Sequence, residues 1–220
     1  MEYTPITLTE QDKAILNSYL PVAESVARFW GDGCEVVIHN LSNLDASVVK
    51  IINGHLSGRE IGAPISEATL SIVNQMIEDP ALQHIIYFAK NKRNETFKAL
   101  VSSIKGENGT IIGLFCINFY LNTSLSSFVH TFTPTAKADQ EYISETFVEN
   151  TKELMINALN EARNTVYNNP SISSSNRNKE IVAILQQKSI FKLKDSVVTI
   201  AELLGVSKNT IYMHIRNMNK

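Results

Sequence analysis

The side chains whose types and spacing could do chemistry gather near the C-terminal end, in VVTIAELLGVSKNTIYMHIRNM, Val197 to Met218. Wound as a helix with Ile211, Ile215 and Met218 inward, the second half of this run puts Asn209, Met213 and Arg216 on the opposite face. Lys208, Tyr212 and Asn217 flank them. The chemistry this suits is recognition rather than bond-making. An arginine fork matches the two acceptors of guanine in the major groove, and an asparagine amide matches the donor and acceptor of adenine. Ser207 precedes the run as a helix cap and leaves its first amides near a phosphate. Lys208 and the lysines at 188, 192 and 194 suit phosphate contacts. Ser207, Lys208, Asn209, Tyr212, Met213, Arg216 and Asn217 are therefore the candidate DNA-binding residues.

Such a reading helix has to be held by a second one. Ala201 is small where the helices would cross, and four residues later Gly205 supplies the positive φ of a tight turn. Ile200, Leu204, Val206, Ile211 and Ile215 supply a small core. Upstream, NKEIVAILQQKSIF predicts a further helix with Ile181, Ile184 and Leu185 inward. From Arg177 to Lys220 eight Lys/Arg stand against three Asp/Glu, whereas the preceding residues carry twelve against nineteen. A basic tail on an acidic body is expected where one module meets phosphate and the other does not. The competing reading is a helical hairpin with a solvated polar face, a tail that binds protein rather than DNA.

Catalysis finds little support. The sequence holds no GxSxG, GxxxxGK[ST], HExxH or GxGxxG motif. A thiol–imidazole pair of His39 with Cys34 or Cys116 would have no third group ordered behind it. An enzyme on the N-terminal module is thus the weakest of three readings, behind a DNA-binding regulator and a protein-binding sensory or scaffold module, and no catalytic residue is assigned. Two cysteines without a CxxC indicate neither zinc nor a disulfide framework, so no metal ligand is assigned. The N-terminal residues lack the basic and apolar regions of a signal peptide. No apolar run approaches the ~18 residues of a membrane span. A soluble cytoplasmic protein without a membrane partner is expected.

With 44% apolar residues the chain can fill a packed core. Thr9 before EQD predicts a capped helix running to Trp30 and stopped by GDG at 31–33. CEVVIHN and SVVKIING read as strands, Ser66 to Ile77 as a helix, and HIIYFAK, TFKALVSSIK and TIIGLFCINFYL as three further strands. GENG at 106–109 predicts the hairpin turn between the last two. The order predicts an antiparallel meander with one face covered by helices. From Ala138 to Tyr167 the pattern is helical again, and thirty residues would span ~45 Å. Such a helix either connects modules and pairs with its copy in a dimer, or packs on its own domain. NNPSISSSNRN at 168–178 reads as a linker.

The segments CEVVIHNL, SVVKIINGHLSGREIGAPI and FKALVSSIKGENGTIIGLFCIN resemble the YheO-like PAS domain. The tail from about Asn178 resembles the DauR-like helix-turn-helix that accompanies it in bacterial transcriptional regulators. The resemblance implies an α+β chain: a PAS-like antiparallel sheet with helices, a long connector helix and a small all-α helix-turn-helix domain. Its expected divisions are a PAS-like sensor domain over 1–136, a connector or dimerisation helix over 137–168, a linker over 169–178 and the helix-turn-helix over 179–220. It implies a dimeric regulator of double-stranded DNA. The helix from Ala138 to Tyr167 is the natural lever between the modules, unless the flexible linker at 168–178 uncouples them. PAS folds hold small ligands between sheet and helices, and His39, Asn53, His55, Ser57, Arg59, Cys116 and Asn118 are the candidate lining. Each has a plainer role available: His39 and Asn118 as local hydrogen-bonders, Cys116 as core, Arg59 as a pin for the glycine-rich loop. Neither ligand nor cofactor is specified.

Overall fold

The computed structural model describes residues 6–133 and 148–218. The chain divides into two units, Met1–Ala138 and Asp139–Lys220. In the first, helix α1 (Glu10–Trp30) precedes strands β1 (Cys34–Asn40) and β2 (Val48–Ile52). Helix α2 (Glu67–Glu78), strands β3 (His84–Lys90), β4 (Thr96–Lys105) and β5 (Ile111–Tyr120), and the short helix α3 (Leu125–Thr131) follow. The five strands form one antiparallel sheet in the order β2-β1-β5-β4-β3, so the expected meander is its second half. The expected strands and the first two helices are present; α3 was not anticipated, because LSSFVHT is too short to show a period.

Start and stop signals explain the elements. Thr9 and Asp12 form a reciprocal capping box at the head of α1, and Gly31 ends it at φ 80°. The second oxygen of Asp12 accepts from the amide of Glu107 at 3.0 Å, which ties α1 to the β4–β5 turn. These hydrogen bonds, that from the Thr9 amide foremost, hold the Asp12 carboxyl below its ordinary range. Ser66 caps α2. At Gly113 an added Cβ would stand 2.5 Å from the carbonyl oxygen of His39 and 2.6 Å from Leu16, so no side chain fits where α1 meets β5.

Alternation along β1 sorts the core into two layers. Val36 and Ile38 face α1 with Leu16, Ala23, Ala27 and Phe115. Val37 faces α2 with Val101, Leu114, Cys116, Ile72, Val73 and Met76. Helices thus cover both faces, not one. The cover on the α1 side is partial: Ile86 on β3 and Phe88 beside it remain 53% and 65% exposed.

The second unit contains α4 (Thr151–Tyr167), α5 (Arg177–Gln187), α6 (Ser196–Leu204) and α7 (Lys208–Met218). Its core joins Met155, Leu159 and Val166 of α4 to Ile181 and Leu185 of α5, Ile200 of α6 and Ile211 of α7. Two expectations change here. The continuous helix over 137–168 does not form in its described part. Asn150 is extended and accepts the amide of Glu153 with its side chain, so α4 begins at Thr151; an asparagine competes with the helix backbone and favours the cap. The rest of that stretch lies outside the described residues. α4 packs into the core of this unit.

The linker over 169–178 is instead a turn inside this unit. Asn169 accepts from the Ser171 amide, the Ser173 and Ser175 hydroxyls pair, and the Arg177 guanidinium lies 4.5 Å above the Tyr167 ring. A polar, serine-rich run has the composition of a linker, but here side-chain hydrogen bonds close it between two packed helices.

Candidate functional site

In the second unit, α6 and α7 meet at Gly205, which is left-handed at φ 68° and ψ 33°. The Val206 amide donates to the Ala201 carbonyl at 3.0 Å and the Gly205 amide to Glu202 at 3.2 Å. This is the two-bond C-terminal motif that glycine favours, and it turns the chain sharply into α7. Arg163 of α4 donates to the Leu203 carbonyl at 2.6 Å and satisfies another open end of α6. Ser207 accepts from the Thr210 amide at 3.1 Å and caps α7. Ala201 is buried against the core, as the crossing requires.

Ile211 is fully buried, and Ile215 and Met218 pack against the same core. All seven candidate DNA-binding residues, Ser207, Lys208, Asn209, Tyr212, Met213, Arg216 and Asn217, are exposed. Asn209, Tyr212, Met213 and Arg216 share one stripe at spacings of three and four. Tyr212 and Met213 are 58% and 51% exposed. Among the expected phosphate contacts, Lys192, Lys194 and Lys208 are exposed, while Lys188 pairs with Glu161 at 2.6 Å.

The candidate ligand residues of the first unit separate. His39, Cys116 and Asn118 are on strands, on the α2 side of the sheet. His39 is buried, its Nδ1 2.9 Å from the Ser47 hydroxyl. Burial, with the Arg59 charge second, pushes its pKa down to about 3, so it stays neutral at physiological pH. Cys116 is core, and burial raises its thiol to about 12, which removes it as a nucleophile near neutrality. Cys34, raised by burial to about 11, is equally inert.

The loop residues make hydrogen bonds to nearby backbone. Asn53, at φ 56°, donates to the carbonyls of Gly31 and Cys34 at 3.3 and 2.8 Å. Ser57 accepts from the Arg59 amide, and Arg59 donates to the Pro64 carbonyl, pinning the loop. His55 is exposed and offers only its carbonyl, to Arg93.

Sequence reasoning missed Glu35. It is fully buried in β1, and its Oε1 accepts from Asn118 at 2.9 Å. The signal was present: alternation in CEVVIHN puts Glu35 on the same face as Val37 and His39, an acid where an apolar residue is expected. Among the described residues, no group of three His, Cys, Asp or Glu side chains could hold a metal ion. No described helix is long and apolar enough to cross a membrane.

The sheet order and the capped hairpin define a PAS domain followed by a helix-turn-helix domain. Family models agree: the YheO-like PAS domain matches residues 9–134 and an HTH domain matches 155–216. The chain belongs to the YheO-like PAS domain family. It is 32% identical over 216 residues to the uncharacterized protein YheO of Escherichia coli K12, covering 98% of this chain and 89% of that one. An uncharacterized protein of Haemophilus influenzae is 31% identical over 212 residues, covering 96% and 95%. Among solved structures, the PAS domain of a Colwellia psychrerythraea protein matches with TM-score 0.35 and 17% identity. That match covers 46% of this chain and 96% of that one. The LOV protein of Rhodobacter sphaeroides matches with TM-score 0.32 and 9% identity, over 84% and 97%.

Proposed function

We propose that this chain is a dimeric, DNA-binding transcriptional regulator whose sheet domain senses a small ligand or a partner. The observation that carries the reading is the exposed stripe on α7, built on a capped turn whose every local feature serves the α6–α7 crossing. A helix with an arginine, an asparagine and two accessible apolar bodies on one face has the parts of a major-groove reader: forks for bases, and a methionine for thymine methyl groups. The basic balance from Arg177 onward supplies the sequence-independent attraction to phosphate. Burial of both thiols and neutralisation of His39 leave the candidate thiol–imidazole pair without a nucleophile, which supports a non-enzymatic role.

One short helix reads only a few base pairs, so a second head is needed for a selective site. The partner we propose is a second copy of this chain, docked through the bare sheet surface of β3, β4 and β5. There a groove of about 340 Å³ is lined by Trp30, Ile86, Leu100, Ile117, Phe119 and Leu121. Phe88 lies on the same face, in register with Lys98 and Phe119. An apolar surface of this kind on a domain marks an interaction site. A signal acts in such a dimer only if it binds two arrangements of the pair with different affinity.

The test is sedimentation velocity together with footprinting on the chain's own upstream region. Wild-type protein is expected to sediment as a dimer and to protect two half-sites about one helical turn, or a multiple of it, apart. The Ile86→Glu, Phe88→Glu double variant is expected to sediment as a folded monomer with at least tenfold weaker binding. A dimer that survives this change places the interface elsewhere; a wild-type protein that protects no DNA removes the regulator reading and favours a protein-binding tail.

A further inference from the structure

The groove on the bare face of β3, β4 and β5 is lined by apolar side chains and a single charge. That charge is Lys98, which lines it together with Trp30, Leu100, Ile117 and Phe119. In register, Phe88 of β3 stands on one side of Lys98 and Phe119 of β5 on the other. Lys98 is exposed, and among the described residues its side chain makes no ion pair and no hydrogen bond. An amphipathic side chain so placed keeps its stem along the rings and its ammonium free.

Its surroundings offer no anion. The other titratable residues on this face of the three strands are His84 and Lys90, and no Asp or Glu stands there. Arg28 of α1 and His130 of α3 add no negative charge. The acids of the adjoining segments are engaged or outside the groove: Glu24 pairs with Lys50 at 2.5 Å, Glu95 with Arg93 at 3.0 Å, and Asp32 is not among the lining. A second copy carries the same face and brings no acid either. A two-fold dimer therefore sets Lys98 against apolar side chains and a second Lys98, where displacing water from an unpaired ammonium is costly.

We propose that this groove takes a small amphipathic carboxylate, with its alkyl or aryl body against Leu100, Ile117 and Phe119 and its head at Lys98. The lining selects the class. The apolar walls reward the body by the area they remove from water. The lone ammonium prefers a carboxylate to a hydroxyl and repels a second ammonium. A volume of about 340 Å³ suits a small ligand. Ligand and second copy compete, because both fill the groove, and only the ligand gives Lys98 a partner. It therefore favours separated protomers over the dimer, the difference in affinity that a signal requires. The proposal rests on reading this face as the dimer interface, and names what is sensed there.

The test uses the full chain without DNA, so its failure is separate from any failure of DNA binding. Trp30, the single tryptophan, lines the groove and reports on it. Its emission is followed during titration with sodium octanoate, 1-octanol and octylammonium chloride at matched ionic strength, with sedimentation velocity on the same samples. Octanoate is expected to change the emission saturably, at a roughly threefold lower concentration than 1-octanol, with octylammonium weakest. It is also expected to convert dimer to monomer. Lys98→Met is expected to stay folded and to lose the preference for octanoate over 1-octanol; Lys98→Arg is expected to keep it. A saturable response from a wild-type chain that is already monomeric would sustain the carboxylate site and remove the dimer interface. No saturable change, no preference for octanoate, an unaltered preference in Lys98→Met, or a dimer that binds octanoate and persists would overturn the proposal.

Discussion

Arg216→Ala is expected to cost about 1–3 kcal/mol on the preferred DNA site, a roughly ten- to hundredfold loss, and to relax selectivity at one base position. The same change is expected to leave weak, non-specific binding nearly untouched. The reason lies in where α7 keeps its side chains. Ile211, Ile215 and Met218 hold the helix to the core, so the exposed guanidinium can be removed without disturbing the fold. Lys208→Ala is expected to behave differently. Lys208 is the first residue of α7, beside the Ser207 cap, and in the proposed complex the first amides and its positive charge would meet a phosphate. Its loss should weaken all DNA fragments alike and lower the salt slope by about 1. Fluorescence anisotropy on the preferred site and on scrambled DNA, at two salt concentrations, separates the two roles. Uniform losses from both variants would reduce Arg216 to a phosphate contact.

The second large effect is on acid stability and belongs to His39. Its folded pKa of about 3 lies below the ordinary 6.5, so in the window between them the unfolded chain binds a proton that the folded chain refuses. Stability from this source is complete above pH 6.5 and is lost as pH falls, by about 1.4 kcal/mol for each pH unit inside that window. The carboxylates held low by hydrogen bonds or ion pairs, Asp12, Glu24 and Glu95, act in the same direction but only from their own, lower, range. Urea midpoints followed through Trp30, the single tryptophan, report the sheet unit selectively. Wild-type midpoints are expected to decline already between pH 6.5 and 5. In His39→Gln, which can keep a bond to Ser47 without titrating, they are expected to stay level until the carboxylates protonate. Parallel curves for the two proteins would show that His39 accepts a proton without loss.

Much of this fold was legible in the sequence, for identifiable reasons. CEVVIHN, TFKALVSSIK and TIIGLFCINFYL form strands where β-branched and apolar residues run between turn signals. Thr9 and Ser66 start their helices as caps. Ala201, Gly205 and Ser207 each occupy the place in the α6–α7 turn that their residue types suit. The stretch at 169–178 looked like a linker and lies inside the second unit, because composition reports hydration rather than packing. NNPSISSSNRN is polar along its length, yet its asparagine and serine side chains bond the local backbone and each other, and its Arg177 stacks on Tyr167. The break at Asn150 was hidden within a continuing apolar stripe, since a cap depends on one side-chain torsion that periodicity does not register.

The polar row of the sheet was less legible than the α7 stripe. An α-helix stripe can be drawn from one segment, whereas the row Glu35–Asn118–Ala99–Tyr87 exists only once three strand pairings are fixed. The glycine-rich loop drew attention to His55, Ser57 and Arg59 because polar residues among glycines look functional. In the fold their hydrogen bonds close the loop itself. Glu35 looked like one acid in an apolar strand, and that its Oε2 has no donor among the described residues shows only in three dimensions.

The measurement that tests the central claim most directly is equilibrium binding of the full-length chain to fragments of its own upstream region and to unrelated DNA of equal length, between 50 and 200 mM salt. The account predicts that one upstream fragment binds at least a thousandfold more tightly than unrelated DNA and that affinity for both falls steeply with salt. Equal, weak binding to every fragment, with the dimer intact, would contradict it and leave α7 as a surface for protein.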